Sequence, residues 1–417
     1  INDLSFLSSN DIAVIDSYLA SEELYDKISK KISLAVYLDD NNRFDYPKGI
    51  VVNGLINANS LNYPKNEDVK YLLGSRFTPL RKDFWNSSKI KINDNIENIL
   101  ITMGGNDLRN LTPEILRLLN DSYPEINKKV IIASSFENKD EIKALANNNV
   151  ELIYSPDSKE MLEAMQNVDL AISASGQTLY ELACIGIPTI AIGIIDNQKD
   201  NIKNWRENGF IEYAGCWSDE SILDNVLEKI NSLKDENKRR EKHLKGIETI
   251  KGDGSLNITK EILSEYYKKN SLFRPINKSD CLKIFEIAND SDVRRSSFNS
   301  DPIPLEDHEK WFKNILNDDK TKFYVLEYED DLIGQLRFDF DEEYPVISIS
   351  LNRKYRGLNL SKYLLSHGIS QLKDFDKIIA YIKKDNDVSI SFFKSMGFKE
   401  DSEVIIKGNH ALKFIRG

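Results

Sequence analysis

Cysteine, histidine and long apolar runs are scarce in this 417-residue chain. Its three cysteines, Cys184, Cys216 and Cys281, are widely spaced, which excludes a disulfide framework and offers no metal-ligand pattern. All four histidines, His243, His308, His367 and His410, lie in the second part of the sequence. A site in the first half must therefore work without imidazole, or borrow one from residues not present. No apolar run approaches the roughly 20 residues of a membrane span, and no secretory signal is visible. Positive charge is also short. With 56 Lys and Arg against 67 Asp and Glu, the net charge is -11, which argues against a nonspecific nucleic-acid footprint. The expectation is a cytoplasmic protein that needs no metal, membrane or nucleic acid; oligomeric state is not indicated.

The residues that are present include 41% hydrophobic and 10% aromatic side chains, enough for real cores in two to four domains. Residues 1–95 alternate short apolar runs with polar helical stretches, as in a small parallel α/β sheet. Trp85 to Asn95 reads as a polar connection. From residue 96 the alternation is cleaner, with strands expected at Ile99–Met103, Val130–Ala133, Val150–Ile153, Leu170–Ile172 and Thr189–Ile192. This predicts a doubly wound sheet over 96–268 with ligand loops at the carboxyl ends of its strands. In two of these loops, Gly104–Asp107 and Ser173–Gln177, small residues precede a helix, and a helix N-terminus is a ready phosphate site. Glu181, a turn into the second helix, offers two oxygens to a vicinal diol. After a polar hinge at Lys268–Asn270, residues 271–417 change rhythm and predict an α+β domain with a mostly antiparallel sheet.

Four spaced motifs in the first part carry a family resemblance. Gly104-Gly-Asn-Asp-Leu-Arg-Asn-Leu-Thr112, Asp169-Leu-Ala-Ile-Ser-Ala-Ser-Gly-Gln-Thr-Leu-Tyr-Glu181, Gly186-Ile-Pro188 and Asp196-Asn-Gln198 resemble the UDP-2,4-diacetamido-2,4,6-trideoxy-β-L-altropyranose hydrolases of pseudaminic acid biosynthesis. Those enzymes are relatives of the GT-B glycosyltransferases. Leu73–Phe84 and Val14-Ile-Asp-Ser-Tyr18 fit the same family. The resemblance implies a GT-B-like pair of Rossmann-type domains, the first of them truncated, and attack of water on the anomeric carbon of a UDP-sugar. Carried over, it gives Glu181 the ribose and gives Ser175, Gly176, Gln177 and Thr178 the diphosphate. Gly104 and Gly105 would approach the sugar phosphate, with Asn106 and Asp107 nearby. Asn197 and Gln198 would face the sugar, Asn197 orienting the water. The family's glycine-rich loop and its histidine base have no counterpart here, and Phe77 replaces a tyrosine. Weak UDP binding and poor hydrolysis are therefore expected of this sequence.

In the last part, Ser348–Leu365 reads as a strand, a basic glycine-containing turn and a helix, an arrangement suited to a pyrophosphate. It resembles the acetyl-CoA loop of the GNAT acetyltransferases, and Asn386–Phe398 resembles that family's closing motif. The resemblance implies acetyl-CoA as co-substrate, held by Leu351, Arg356, Gly357, Leu358, Asn359, Leu360 and Ser361, with Asn386 and Phe393 along the pantetheine arm. Phe393 stands where many members carry a proton-donating tyrosine. Asn289–Arg294, His308–Phe312 and Ile333–Arg337 resemble the branch that acetylates sugar amines. His308 is either a base or substrate contact or a structural residue, and Glu327 is a second candidate base. The combined expectation is a UDP-sugar hydrolase fused to a GNAT N-acetyltransferase. The alternatives are a GT-B-like glycosyltransferase fused to an acetyltransferase, or a UDP-sugar-binding module without catalysis.

Overall fold

The computed structural model describes residues 4–194, 199–372 and 375–417. Its strands are β1 (Ile12–Ile15), β2 (Leu34–Leu38), β3 (Gly49–Asn53), β4 (Val69–Leu73), β5 (Asn98–Thr102), β6 (Asn127–Ile132), β7 (Val150–Tyr154), β8 (Leu170–Ala174), β9 (Thr189–Gly193), β10 (Ile211–Cys216), β11 (Leu272–Pro275), β12 (Thr321–Tyr328), β13 (Asp331–Asp339), β14 (Val346–Leu351), β15 (Ile378–Lys383), β16 (Lys399–Ile406) and β17 (Asn409–Arg416). The helices are α1 (Glu22–Lys31), α2 (Leu111–Ser122), α3 (Lys139–Ala144), α4 (Ser158–Gln166), α5 (Thr178–Ile185), α6 (Lys199–Asn208), α7 (Ile222–Ser232), α8 (Glu236–Thr249), α9 (Gly254–Asn270), α10 (Cys281–Asn289), α11 (Ser291–Ser296), α12 (Leu305–Ile315), α13 (Leu360–Ile369) and α14 (Asp387–Ser395). They fall into two compact units, Ile1–Thr259 and Lys260–Gly417.

The first unit contains two parallel sheets. One runs β1-β2-β3-β4 in simple sequence order. Its core is aromatic: Tyr25, Tyr37 and Tyr46 pack ring to ring within 5.1–5.8 Å. The second runs β10-β9-β8-β5-β6-β7. Its apolar strands are buried on both faces, as a doubly wound sheet requires. Ile99 and Ile101 of β5 join one core while Leu100 joins the core on the other face. Trp85 to Asn95, expected as a polar connection, instead packs on this sheet's helical layer. Ile90 is buried in the second core, and its amide donates to the Ile185 carbonyl at 3.2 Å.

Local chemistry sets the helix ends. Asp157 and Glu160 form a reciprocal capping box on α4. Gly186 ends α5 with φ 82°, and the amides of Gly186 and Ile187 both return to the Leu182 carbonyl (2.9 and 3.0 Å). A Cβ at Gly186 would also meet Nδ1 of His243 on α8 at 2.4 Å. That ring nitrogen sits 2.8 Å from the Gly186 carbonyl oxygen. Glycine is thus required twice, by backbone angle and by packing.

The second unit is built on a sheet of order β11-β12-β13-β14-β15-β17-β16. Its pairs are antiparallel except for β14 and β15, which are parallel and in register only at Val346 and Ile379. Beyond that position the two strands diverge. Leu360, Leu364 and Leu365 of α13 pack on one face of the sheet. The other face carries a smaller core from α10 and α12, with Ile284, Ile287 and Phe312. The helix α11, not expected from the sequence, begins because the Asp290 carboxylate accepts the amides of Asp292 and Val293.

Replacing Gly186 by Ala should lower stability by about 2 kcal/mol or more, since it adds strain at positive φ to a buried clash. Thermal melts of the two proteins test this, and an unchanged midpoint would refute the double requirement.

Candidate functional site

The strand order of the second sheet reverses between β5 and β8. From β5 the chain steps outward to β6 and β7, then returns to β8 and runs the other way through β9 and β10. A crevice opens at the carboxyl ends of strands at such a switch point. The loops after β5 and β8 are the two with the small residues. Gly104 has φ 77°, and no atom lies within 4 Å of a Cβ added there or at Gly105. The open space beside this backbone suits close approach of a ligand. At the second loop, the amides of Gly176, Gln177 and Thr178 have no backbone acceptor among the described residues, so the α5 N-terminus presents donors to the crevice.

Several expected contacts have other duties. Asp107 is buried, and its carboxylate accepts the amides of Leu111 and Thr112 (3.0 and 2.8 Å) and Nδ2 of Asn138 (2.9 Å). It caps α2 and supports the loop from behind, while Asn106 is exposed. Ser175 is fully buried and donates Oγ to the Ile192 carbonyl at 2.9 Å. Glu181 is also buried, and both of its oxygens take bonds from Arg81, at 2.8 Å from Nε and 3.0 Å from Nη2. Burial pushes the Glu181 carboxyl up, and the Arg81 guanidinium opposes that rise. Arg81 lies inside the Leu73–Phe84 motif, yet nothing in its spacing announced this partner. Asn197 and Gln198 lie outside the described residues.

Beside the α5 N-terminus is a cleft of about 400 Å³ whose lining includes Asp16, Tyr18, Asp40, Asn53, Thr78 and Gln177. It lies at the carboxyl ends of β1, β2 and β3. Asp39 anchors it. The Asp39 carboxylate accepts the hydroxyls of Tyr46 (2.8 Å) and Tyr63, and the amides of Asn42 (2.8 Å) and Arg43 (3.5 Å). Burial pushes the Asp39 carboxyl up, but these bonds prevail and hold it below the usual carboxylate range. Arg43 in turn donates Nη1 and Nη2 to the Ser17 carbonyl at 3.1 Å, tying the β1 loop to β2. The exposed Tyr18 hydroxyl donates to Asp40, and that bond pushes its pKa up to about 12. Asp16 and Tyr18 of the Val14–Tyr18 motif line this cleft, but the Asp39 network has no sequence signature.

In the second unit, the divergence of β14 and β15 opens beside the turn that joins β14 to α13. Gly357 is exposed with φ 77°, and no atom lies within 4 Å of an added Cβ. Asn359 takes a left-handed conformation (φ 57°) at the helix start, which asparagine tolerates. Ser361 is half-buried in the first turn of α13, and the side chains of Leu358 and Leu360 enter the core. The Leu351 carbonyl accepts Nε of Arg356 at 3.1 Å. Asn386 caps α14 through the Ser389 amide (3.1 Å), and Phe393 is buried 5.0 Å from Phe392 and Phe398.

His308 is not on this opening. It is 2% exposed, among Phe285, Trp311 and Phe312, and its Nε2 is 2.9 Å from the Cys281 carbonyl oxygen. A carbonyl only accepts, so Nε2 carries the proton, and burial lowers the pKa. His308, read from the sequence as either a base or substrate contact or a structural residue, sits as a neutral tie between α10 and α12. Glu327 is likewise committed, receiving Arg274 Nε at 2.7 Å, and Arg274 also grips Asp280. The sheet's α12-side face carries polar groups of the Ile333–Arg337 stretch. Nε2 of Gln335 donates to Ser350 Oγ at 2.8 Å, and Arg337 lies 5.4 Å over the Trp311 ring. Among the described residues, no group of three or more His, Cys, Asp or Glu side chains could hold a metal ion, and no helix is long and apolar enough to cross a membrane.

These architectures define the domain classes. The glycosyltransferase family 28 C-terminal domain family matches residues 98–252, and the acetyltransferase (GNAT) family matches 283–398. The chain thus carries a family 28 glycosyltransferase C-terminal domain followed by a GNAT domain. An uncharacterized protein of Methanocaldococcus jannaschii is 23% identical over 94% of this chain and 81% of its own length. The Helicobacter pylori pseudaminic acid cytidylyltransferase and UDP-2,4-diacetamido-2,4,6-trideoxy-beta-L-altropyranose hydrolase is 32% identical over 50% of this chain and 39% of its own length. The spore coat polysaccharide biosynthesis protein SpsG of Bacillus subtilis is 23% identical over 62% of this chain and 78% of its own length.

Because the folded Asp39 carboxyl is depressed, its contribution to stability is present above the unfolded value of about 4 and is lost as pH falls through the folded value. Asp39→Asn should cost about 3 kcal/mol at neutral pH by removing the counter-charge 3.5 Å from Nε of the partly buried Arg43. It should also flatten the acid limb of the stability profile. Denaturant melts between pH 3 and pH 7 check both, and parallel acid limbs would remove Asp39 as the anchor.

Proposed function

We propose that this chain processes a nucleotide sugar in nonulosonic acid biosynthesis of the pseudaminic type. In this reading residues 1–95 and 96–268 form a UDP-sugar site, and residues 271–417 N-acetylate the amino UDP-sugar with acetyl-CoA. The observation that carries the reading is the β5/β8 switch point, where two loops of small residues and the α5 N-terminus meet, in a chain that also holds a GNAT domain. The 32% identity to a protein named in part as such a hydrolase supports the sugar class.

In the acetylation, the sugar amine attacks the thioester carbonyl, the C–S bond breaks, and coenzyme A leaves as a thiolate that takes up the proton lost by the amine. The turn at Arg356–Ser361 would hold the pyrophosphate through backbone amides, with Gly357 leaving room and Asn386 near the pantetheine arm. Phe393 supplies no proton, and the core position of His308 argues that an uncharged amine is taken from solution instead of being made by that side chain.

In the hydrolysis, water adds to the anomeric carbon, UDP departs with the bond pair, and the water's proton passes to a base. Gly104, Gly105 and Asn106 would border the sugar phosphate, and the amides of Gly176, Gln177 and Thr178 the diphosphate, with Ser175 shaping the loop from beneath. Glu181 would meet the ribose together with Arg81, and Asn197 and Gln198 would face the sugar. No histidine precedes His243 in these residues, and hydrolysis without a general base is slower by on the order of 10²–10⁴. Poor hydrolysis by these residues alone is therefore part of the proposal. The family 28 match favours one second reading, transfer of the sugar to an acceptor.

Incubation with acetyl-CoA and a 4-amino UDP-sugar should release stoichiometric coenzyme A and little UDP. Fast UDP release would overturn the hydrolytic deficit, UDP release only with an added acceptor would favour the transferase, and no product would leave a binding module. Gly357→Val should raise the KM for acetyl-CoA at least about ten-fold, since a branched side chain enters the open turn at positive φ. Steady-state kinetics against acetyl-CoA would detect it.

A further inference from the structure

The turn between β14 and α13 reads in sequence as a cationic phosphate site, because Arg353, Lys354 and Arg356 crowd around Gly357. In the folded protein each of these charges is already paired. Lys354 Nζ is 3.0 Å from Asp331 Oδ2. Arg353 lies 3.7 Å from Asp292. Arg356 makes the most extensive set: Nη2 to Asp290 Oδ1 at 2.7 Å, Nη1 to Asp292 Oδ2 at 3.0 Å, and Nε to the Leu351 carbonyl at 3.1 Å. The Arg356 and Asp290 side chains are 28% and 15% exposed, so the pair is partly shielded from solvent.

Both carboxylates belong to the start of α11. Asp290 caps that helix through the amides of Asp292 and Val293, and Asp292 is a first-turn residue. One guanidinium therefore joins three pieces of backbone: the end of β14 at Leu351, the turn itself, and the N-terminus of α11. The next residues of α11 reach further across the fold. Arg294 holds the carbonyls of Ala288, Asn299 and Asp301, and the Arg295 carbonyl accepts Lys383 Nζ at the end of β15. The strands on either side of the β14/β15 opening are thus linked through Arg356 and α11.

We propose that Arg356 is a positioning residue, not a phosphate contact. It locks the coenzyme turn to α11 and so fixes the width of the opening between β14 and β15 for donor and acceptor together. Each of its three guanidinium nitrogens directs a hydrogen at a protein acceptor, and a planar fork held by two carboxylates sets position and orientation at once. This inference rests on the reading of the turn as the acetyl-CoA site.

The two roles predict opposite signs when a carboxylate is neutralised. If Arg356 contacts phosphate, Asp292→Asn frees cationic charge and tightens acetyl-CoA binding. If Arg356 positions the turn, the same change loosens it. We expect Asp292→Asn to weaken coenzyme A binding about five-fold, and Asp290→Asn about ten-fold, since charge-assisted bonds are lost. Each should be non-additive with Arg356→Ala. The KM for the amine acceptor should rise along with that for acetyl-CoA. Arg356→Lys, which supplies a point charge without the fork, should not restore either. Calorimetric titration of the full chain with coenzyme A measures the sign, with melting curves to verify folding. Asp292→Asn is the cleaner variant because Asp290 also caps α11. Tighter or unchanged binding in Asp292→Asn, additive losses, or rescue by Arg356→Lys would overturn the proposal. Failure of the unaltered protein to bind coenzyme A would instead refute the site reading.

Discussion

The cationic side chains beside the candidate sites are bound to protein acceptors, which leaves backbone amides as the donors facing the glycine loops. Arg81 is spent on Glu181, Lys354 on Asp331, Arg353 on Asp292, and Arg356 on Asp290 and Asp292. In a chain of net charge -11, the arginines and lysine beside the candidate sites are paired with neighbouring carboxylates. What the loops offer a phosphate is the donor array of a helix start and the space left by Gly104 and Gly357. The electrostatics then act over short range, which suits a bound, oriented diphosphate better than long-range capture of a polyanion.

The same constraint explains which parts of the fold were legible. Apolar runs bounded by small or polar residues mark buried parallel strands, so β5, β8 and β9 were apparent from Ile99–Met103, Leu170–Ile172 and Thr189–Ile192. Gly186 signalled the end of α5, because a left-handed C-terminal residue is a local requirement. The glycine loops were legible for the same reason. The strand order, which turns those loops into one crevice, is a non-local property. The sequence predicts a doubly wound sheet without its strand order, which the structure gives as β10-β9-β8-β5-β6-β7.

Side-chain duties were much less legible. Asp107 has the composition of a ligand residue, but its loop turns the carboxylate back onto the α2 amides. A cap and a ligand differ only in direction, and here the chain turns through Asn110, left-handed at φ 55°, so that the first α2 amides meet the Asp107 carboxylate. His308 shows the limit more sharply. Histidine on a helix beside Trp311 and Phe312 fits either a pocket or a core, and the Cys281 carbonyl that decides between them is 27 residues away. The α11 helix was missed because six residues carry too little periodicity, although Asp290 is an ordinary cap.

Paired cations also bear on how the second unit's opening is held. Two parallel strands that share one register position, Val346 with Ile379, have no ladder to set their separation beyond it. Something else must, or the opening would vary with thermal motion and the thioester would not meet the amine at a fixed distance. The candidates are the core beneath, where Leu358 and Leu360 seat the turn on the sheet, and the ion-paired bridge above, through Arg356 and α11. The apolar seating fixes height over the sheet but slides laterally, because burial is non-directional. A guanidinium held by two carboxylates and a carbonyl resists lateral motion in its plane. The division of labour is therefore geometric: hydrophobic burial sets depth, and the charged fork sets width.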